Sequence, residues 1–119
     1  MKRVLIVEDN DKNMYLTGFI LRKNGYEVIE AWTGEEGTEL AIKEKPDLIL
    51  MDVQLPGIDG LEATKRIRES EADGETPIVA LTSYAMTGDR QKALDAGCTG
   101  YIEKPINPET FMTDIEKYL

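Results

Sequence analysis

Short apolar runs and longer mixed stretches alternate along the chain. Val4-Leu5-Ile6-Val7 is continuous and rich in β-branched residues, which predicts a strand buried on both faces. Asp47-Leu48-Ile49-Leu50-Met51 and Pro77-Ile78-Val79-Ala80-Leu81 are of the same kind. Tyr26-Glu27-Val28-Ile29-Glu30 is more polar and reads as a strand nearer an edge. Thr99-Gly100-Tyr101-Ile102 is a short fifth strand.

Between these runs lie segments of helical length. Residues 10–24 end at Gly25, a helix-stop signal, and residues 35–45 end before Pro46-Asp47, another stop. Residues 60–70 carry Leu61, Thr64, Ile67 and Arg68, and residues 87–96 end at Gly97. Residues 108–119 follow Asn107 as N-cap, with proline at the first helical position. Strands and helices in strict alternation predict parallel strands joined by right-handed crossovers, with helices on both faces of the sheet. The expected fold is one doubly wound α/β domain over residues 1–119. In the first helix Met14, Tyr15, Leu16, Phe19, Ile20 and Leu21 go nearly all the way round the axis, wider than one buried stripe needs. Some of them are expected at the surface.

Composition narrows the chemistry. The 119 residues hold 23 Asp and Glu against 14 Lys and Arg, a formal net charge of −9, with one cysteine and no histidine. The acid excess argues against a nucleic-acid binder, which needs a basic face, and against docking on anionic lipid. Without histidine there is no Ser-His-Asp or Cys-His catalysis, no His-ligated zinc and no phosphohistidine within this chain. Cys98 cannot form an internal disulfide, and is expected to be a small hydrophobe without redox duty. Trp32 is expected to cover core near the second helix, and Glu35, Glu36 and Glu39 to mark a solvated helix face and a favourable interaction with the N-terminal dipole. No apolar run approaches roughly 18 residues, and the start is too short for a signal peptide, so a cytoplasmic protein is the expectation.

The polar residues that carry chemistry sit where strands end. Strand 1 ends in Glu8-Asp9, strand 3 in Asp52 and strand 4 in Thr82, and strand 5 is followed by Lys104-Pro105. Open α/β sheets bind ligands beyond the carboxyl ends of their strands. If strands 1 and 3 are neighbours, Glu8, Asp9 and Asp52 converge. Three close carboxylates resist joint ionisation, and a hard divalent cation relieves that repulsion. Asp52 is then a carboxylate nucleophile beside a cation, with a hydroxyl from Thr82 and an ammonium from Lys104. Phosphoryl transfer needs chiefly such positioning and charge stabilisation.

Over its whole length the chain resembles the receiver domains of two-component response regulators. The resemblance is carried by Val4-Leu5-Ile6-Val7-Glu8-Asp9-Asn10, the stretch from Pro46 through Asp52 to Gly60, Pro77-Ile78-Val79-Ala80-Leu81-Thr82 and Gly100-Tyr101-Ile102-Glu103-Lys104-Pro105. It implies a flavodoxin-like (βα)5 sheet of strand order 2-1-3-4-5 and a Mg²⁺-dependent phosphoacceptor module. Asp52 would be the phosphoacceptor. Asp9 would bind Mg²⁺ directly, Glu8 directly or through water, and the Gln54 main-chain carbonyl would complete the protein ligands. Thr82 and Lys104 would hold the phosphoryl oxygens, Tyr101 would be the switch aromatic, and the Lys104–Pro105 bond would be cis. Gln54 and Tyr84 stand at family-variable positions that tend to set how easily water attacks the phosphoryl group.

The implied partner is a histidine kinase or a histidine phosphotransfer protein. The first helix is a common docking surface for the phosphodonor, so Asn13, Leu16 or Phe19 is expected to touch it. Helix 4, strand 5 and helix 5 form the family's usual output face, with Arg90, Gln91, Lys92 and Tyr101 on or near it. The chain would be either a stand-alone receiver or a receiver cut from a hybrid histidine kinase. A competing reading is a haloacid-dehalogenase-type phosphatase, which also joins an Asp nucleophile to Mg²⁺, a Ser/Thr and a Lys. That enzyme needs a second Asp two residues after the nucleophile, where this chain has Gln54.

Overall fold

The computed structural model describes residues 2–70, 75–82 and 87–119. Strands β1 (Arg3–Val7), β2 (Glu27–Ala31), β3 (Leu48–Asp52), β4 (Ile78–Thr82) and β5 (Gly100–Glu103) alternate with helices α1 (Asp11–Lys23), α2 (Gly34–Glu44), α3 (Gly60–Ser70), α4 (Thr87–Ala96) and α5 (Phe111–Glu116). All neighbouring strands are parallel, in the order β2-β1-β3-β4-β5. The doubly wound α/β fold with order 2-1-3-4-5 therefore stands as expected, and the polar strand β2 does lie at an edge.

The alternation of strand side chains divides the core into two layers. Leu5, Val7, Ile49, Met51, Ile78 and Ala80 face α2, α3 and α4 through Ala41, Ala63, Ile67 and Ala93. Val4, Ile6, Leu48, Leu50, Val79 and Leu81 face α1 and α5 through Met14, Ile20, Leu21, Phe111 and Ile115. The three central strands are buried on both sides, which is why their sequences read as continuous apolar runs.

Local chemistry sets the helix ends. Asn10 caps α1 by accepting the Asn13 N–H at 3.0 Å, while Asp11 and the pair Arg22, Lys23 complement the two ends of its dipole. Thr33 caps α2 by accepting the Glu36 N–H at 3.0 Å, and the Glu36 carboxylate reaches back to the Trp32 N–H at 2.7 Å. This adds a specific hydrogen bond to the solvated face and dipole interaction expected of that acid. Trp32 keeps 37% of its surface exposed. Helix α5 differs from its expected span of 108–119. Asn107 does act as a cap, its side chain accepting the Glu109 N–H at 2.9 Å. Its carbonyl then accepts from Thr110 at 3.1 Å and Phe111 at 2.9 Å, so residues 108–110 wind as a turn before α5 begins.

Candidate functional site

The carboxyl ends of β1, β3, β4 and the start of the loop after β5 meet at one edge of the sheet. In-register pairing of Val7 with Met51 and of Asp52 with Leu81 carries the residues just beyond β1, β3 and β4 to a common level. Glu8 is fixed there because its N–H donates to the Ala31 carbonyl at 3.0 Å, continuing the sheet one residue past β1. Lys104 is fixed in the same way by donation to the Thr82 carbonyl at 2.7 Å, just ahead of the cis Lys104–Pro105 bond.

These backbones place four charged groups in contact. Glu8 and Asp52 are buried, at 1% and 4% exposure, whereas Asp9 is exposed. One oxygen from each of the three carboxylates lies within 4.8 Å of the others. The Lys104 Nζ bridges the two buried acids, 2.9 Å from Glu8 Oε1 and 3.1 Å from Asp52 Oδ2. The remaining oxygens are also held. Glu8 Oε2 accepts the Asp9 N–H at 3.1 Å, and Asp52 Oδ1 accepts the Gln54 N–H at 3.1 Å. Thr82 is buried at the end of β4, the strand beside Asp52.

Burial pushes the Glu8 carboxyl above the ordinary carboxylate value, helped by its hydrogen bond to Asp52 and opposed by Lys104. Burial by itself would lower the Lys104 ammonium. Its hydrogen bonds to Glu8 and Asp52, with their charges, outweigh that and hold it above the ordinary lysine value. Three carboxylates and one ammonium leave a formal charge of −2 in the cluster. The donor chemistry, all oxygen and mostly carboxylate, fits a hard divalent cation.

One residue of the site carries no functional side chain, and the sequence marks it only as the end of the stretch from Pro46 to Gly60. A Cβ on Gly60 would stand 2.0 Å from the Asp52 carbonyl oxygen and 2.9 Å from the Val53 Cα. Gly60 is therefore what lets the start of α3 close against the end of β3. The Gly60 N–H donates to Val53 at 3.0 Å and seals that approach.

The residues expected to meet partners lie on two other surfaces. On α1, Asn13 and Leu16 are half-buried, with Leu16 packed on the core, while Tyr15 and Phe19 are 73% and 52% exposed and stack on each other. The over-wide apolar helix thus does show part of itself at the surface. Between α4 and α5, over the outer edge of β5, a cleft of about 500 Å³ is lined by Arg90, Tyr101, Glu103, Asn107 and Tyr118 among others. Tyr101 is half-buried beneath Arg90. Lys92, expected on the same face, instead lines a groove between α3 and α4 with Leu61 and Lys65, because two residues on turn about 200° round a helix. Gln91 is exposed and hydrogen-bonded to Asp95. Tyr84 lies outside the described residues.

Comparison with known proteins agrees with this geometry. Residues 4–116 match the response regulator receiver domain family. The polar-differentiation response regulator DivK of Brucella ovis is 44% identical over 118 residues, covering 99% of this chain and 96% of that protein. The chemotaxis protein CheY4 of Vibrio cholerae superposes with a TM-score of 0.94 at 34% identity, covering 100% of this chain and 99% of that one. The receiver domain of the sensor histidine kinase PA1611 from Pseudomonas aeruginosa, solved with magnesium in its active site cleft, gives a TM-score of 0.90 at 36% identity, covering 98% and 96%. The chain belongs to the response regulator receiver domains, the signalling modules of two-component systems.

Proposed function

We propose that Asp52 accepts a phosphoryl group from a phosphohistidine on a partner protein. The observation that carries this reading is the buried Asp52 carboxylate, aligned by the Gln54 N–H and the Lys104 ammonium and facing two further acids. In the transfer, an Asp52 oxygen bonds to phosphorus as the bond from phosphorus to the histidine nitrogen breaks. Glu8, Asp9, Asp52 and the Gln54 carbonyl are the residues that would hold Mg²⁺, which when bound offsets the charge of the acids and of the phosphoryl oxygens. Lys104 already sits on Asp52 and passes to a phosphoryl oxygen once the carboxylate is esterified. Thr82, from the neighbouring strand, offers its hydroxyl to another. Gln54 has no carboxyl to act as the general acid of a phosphatase, which disfavours a haloacid-dehalogenase-like turnover.

Docking of the phosphodonor falls to α1, through Asn13, Leu16 or Phe19. Phosphorylation shifts the domain between conformations of different partner affinity. Tyr101 serves as the switch aromatic, and the cleft between α4 and α5, with Arg90 on its rim, receives the downstream target. Lys92 extends the same helix toward α3.

The test is Mg²⁺-dependent labelling with acetyl phosphate, read by intact-protein mass. Wild type should gain one phosphoryl group and Asp52→Asn none. An unmodified wild type, or equal labelling of Asp52→Asn, overturns the mechanism. Phe19→Glu should slow transfer from a phosphohistidine partner while leaving acetyl phosphate labelling unchanged.

A further inference from the structure

The Tyr101 ring is held by a residue of a different element. The Arg90 guanidinium carbon, from α4, stands 5.2 Å from the ring centroid. Arg90 is exposed, and among the described residues it has no carboxylate partner, so the ring is its one charge-stabilising contact there. A cation over an aromatic face within about 6 Å is attracted by the ring quadrupole.

The ground beside the ring is equally specific. Tyr101 pairs in parallel register with Ala80, so the two side chains leave the sheet on the same face and join the same core layer. Strand alternation sends the Thr82 side chain to that face as well. The residue between Tyr101 and the far strands is thus a single methyl group, and the ring has Thr82 one step up the neighbouring strand. A turn of the ring toward Thr82 passes over Ala80 and leaves the guanidinium behind.

We propose that Arg90 is a positioning residue that holds Tyr101 in the orientation seen here and so opposes the phosphorylated conformation. The proposal rests on the reading of Asp52 and Tyr101 given above and adds to it a restraint peculiar to this chain's own pair. An exposed cation–π contact shifts a two-state equilibrium by about two- to fivefold. Where the resting state predominates, its loss raises the apparent affinity for anything that favours the other state by the same factor.

The experiment uses the full chain, Mg²⁺ and beryllofluoride as a stable stand-in for the phosphoryl group. Fluorotyrosine labelling gives a ¹⁹F resonance for Tyr101, identified by its absence in Tyr101→Phe. Wild type should bind beryllofluoride with a shift of that resonance. Arg90→Ala and Arg90→Gln should bind it two- to fivefold more tightly, and Arg90→Lys, which keeps the cation, should stay near wild type. In a Tyr101→Ala background the Arg90→Ala effect should vanish. Unchanged or weaker binding by Arg90→Ala and Arg90→Gln, with the wild-type resonance still moving, overturns the role of Arg90 and leaves the site reading intact. A wild type that takes up no beryllofluoride overturns the site reading and the proposal together, and a Tyr101 resonance that stays still on uptake overturns the switch role of Tyr101 and the proposal while leaving the Asp52 site standing.

Discussion

Lys104→Met keeps the length and most of the volume of the side chain and removes its charge. In wild type the ammonium stands 2.9 Å from Glu8 and 3.1 Å from Asp52, with side-chain exposures of 14%, 2% and 5%. At an effective dielectric constant near 20, each contact is worth about 5 kcal/mol of gross attraction. Desolvation of the three groups offsets most of that. Removing one partner of a buried pair costs about 3–5 kcal/mol, because the other charge stays behind. Here Glu8 can take up a proton and Lys104 keeps a little water, so the lower end applies, about 3 kcal/mol. For a domain of this size that is about 12 °C in Tm.

The pH dependence gives a second, independent reading of the same pair. The Lys104 value is raised on folding, so its contribution is whole below the unfolded value near 10.4 and is lost as pH climbs through the folded one. The Glu8 value is also raised, so the folded state grips that proton more firmly than the unfolded chain does. Glu8 thus favours the fold at acid pH and costs stability as pH rises through its folded value. Without Lys104 to pull it down, that value climbs further, and the deficit of Lys104→Met narrows between pH 7.5 and pH 5. Urea unfolding followed by circular dichroism, in EDTA so that no divalent cation takes the place of the ammonium, measures both. A loss under about 1 kcal/mol, or the same loss at both pH values, refutes the coupling argued here.

Other outcomes follow from single contacts. Gly60→Ala and Gly100→Ala each bring a Cβ to 2.0 Å, the first onto the Asp52 carbonyl and the second onto the Tyr118 hydroxyl. Backbone cannot yield as a side-chain tip can, so urea midpoints should show about 2–3 kcal/mol lost in the first and under about 1 in the second. Acetyl phosphate labelling should fall about 100-fold in Gly60→Ala alone, as an ångström of misplacement does. Mg²⁺ at ten times its dissociation constant should stabilise wild type by about 1.4 kcal/mol, and Asp9→Asn should lose most of that gain in a thermal melt. Burial pushes the Cys98 thiol up, against smaller opposing effects of Thr64 and Arg68. Its reaction with a thiol reagent should therefore be at least about 100-fold slower in the native protein than in urea at pH 8.

The parts of this molecule legible in the sequence are those set by one element at a time. The apolar runs of β1, β3 and β4 announce strands covered on both sides, and the glutamates of β2 announce an edge. Glu8, Asp9, Asp52, Thr82 and Lys104 are legible because parallel strands put all their carboxyl ends on one side. The bridging position of Lys104 is less so, since it depends on how the loop after β5 folds back over 96 residues of sequence separation. The packing role of Gly60 and the contact of Arg90 with Tyr101 were hidden for the same reason. Each acts on a backbone or ring supplied by another segment, and no periodicity records such a meeting. Helix α5 shows the opposite limit. Asn107 has the expected capping chemistry, yet one cap can start a turn or a helix, and the sequence does not distinguish them.

The charge of the cluster is itself an argument about purpose. A structural ion pair in a sheet end would be neutral, one carboxylate to one ammonium, since any surplus buried charge costs the fold. Glu8 and Asp52 already exceed Lys104 by one charge, and both are nearly closed to water. The surplus shows in Glu8, whose carboxyl is pushed up by burial and by its neighbour. The third acid, Asp9, adds charge from the solvent side, where holding it costs least and where an ion can arrive. A sheet end built for stability would have put an apolar or amide residue at one of these positions. One that keeps three acids around a single lysine gives up stability in the resting state, and a divalent cation that neutralises the remaining −2 gives it back. That exchange is what the Lys104→Met and Asp9→Asn measurements probe from its two sides.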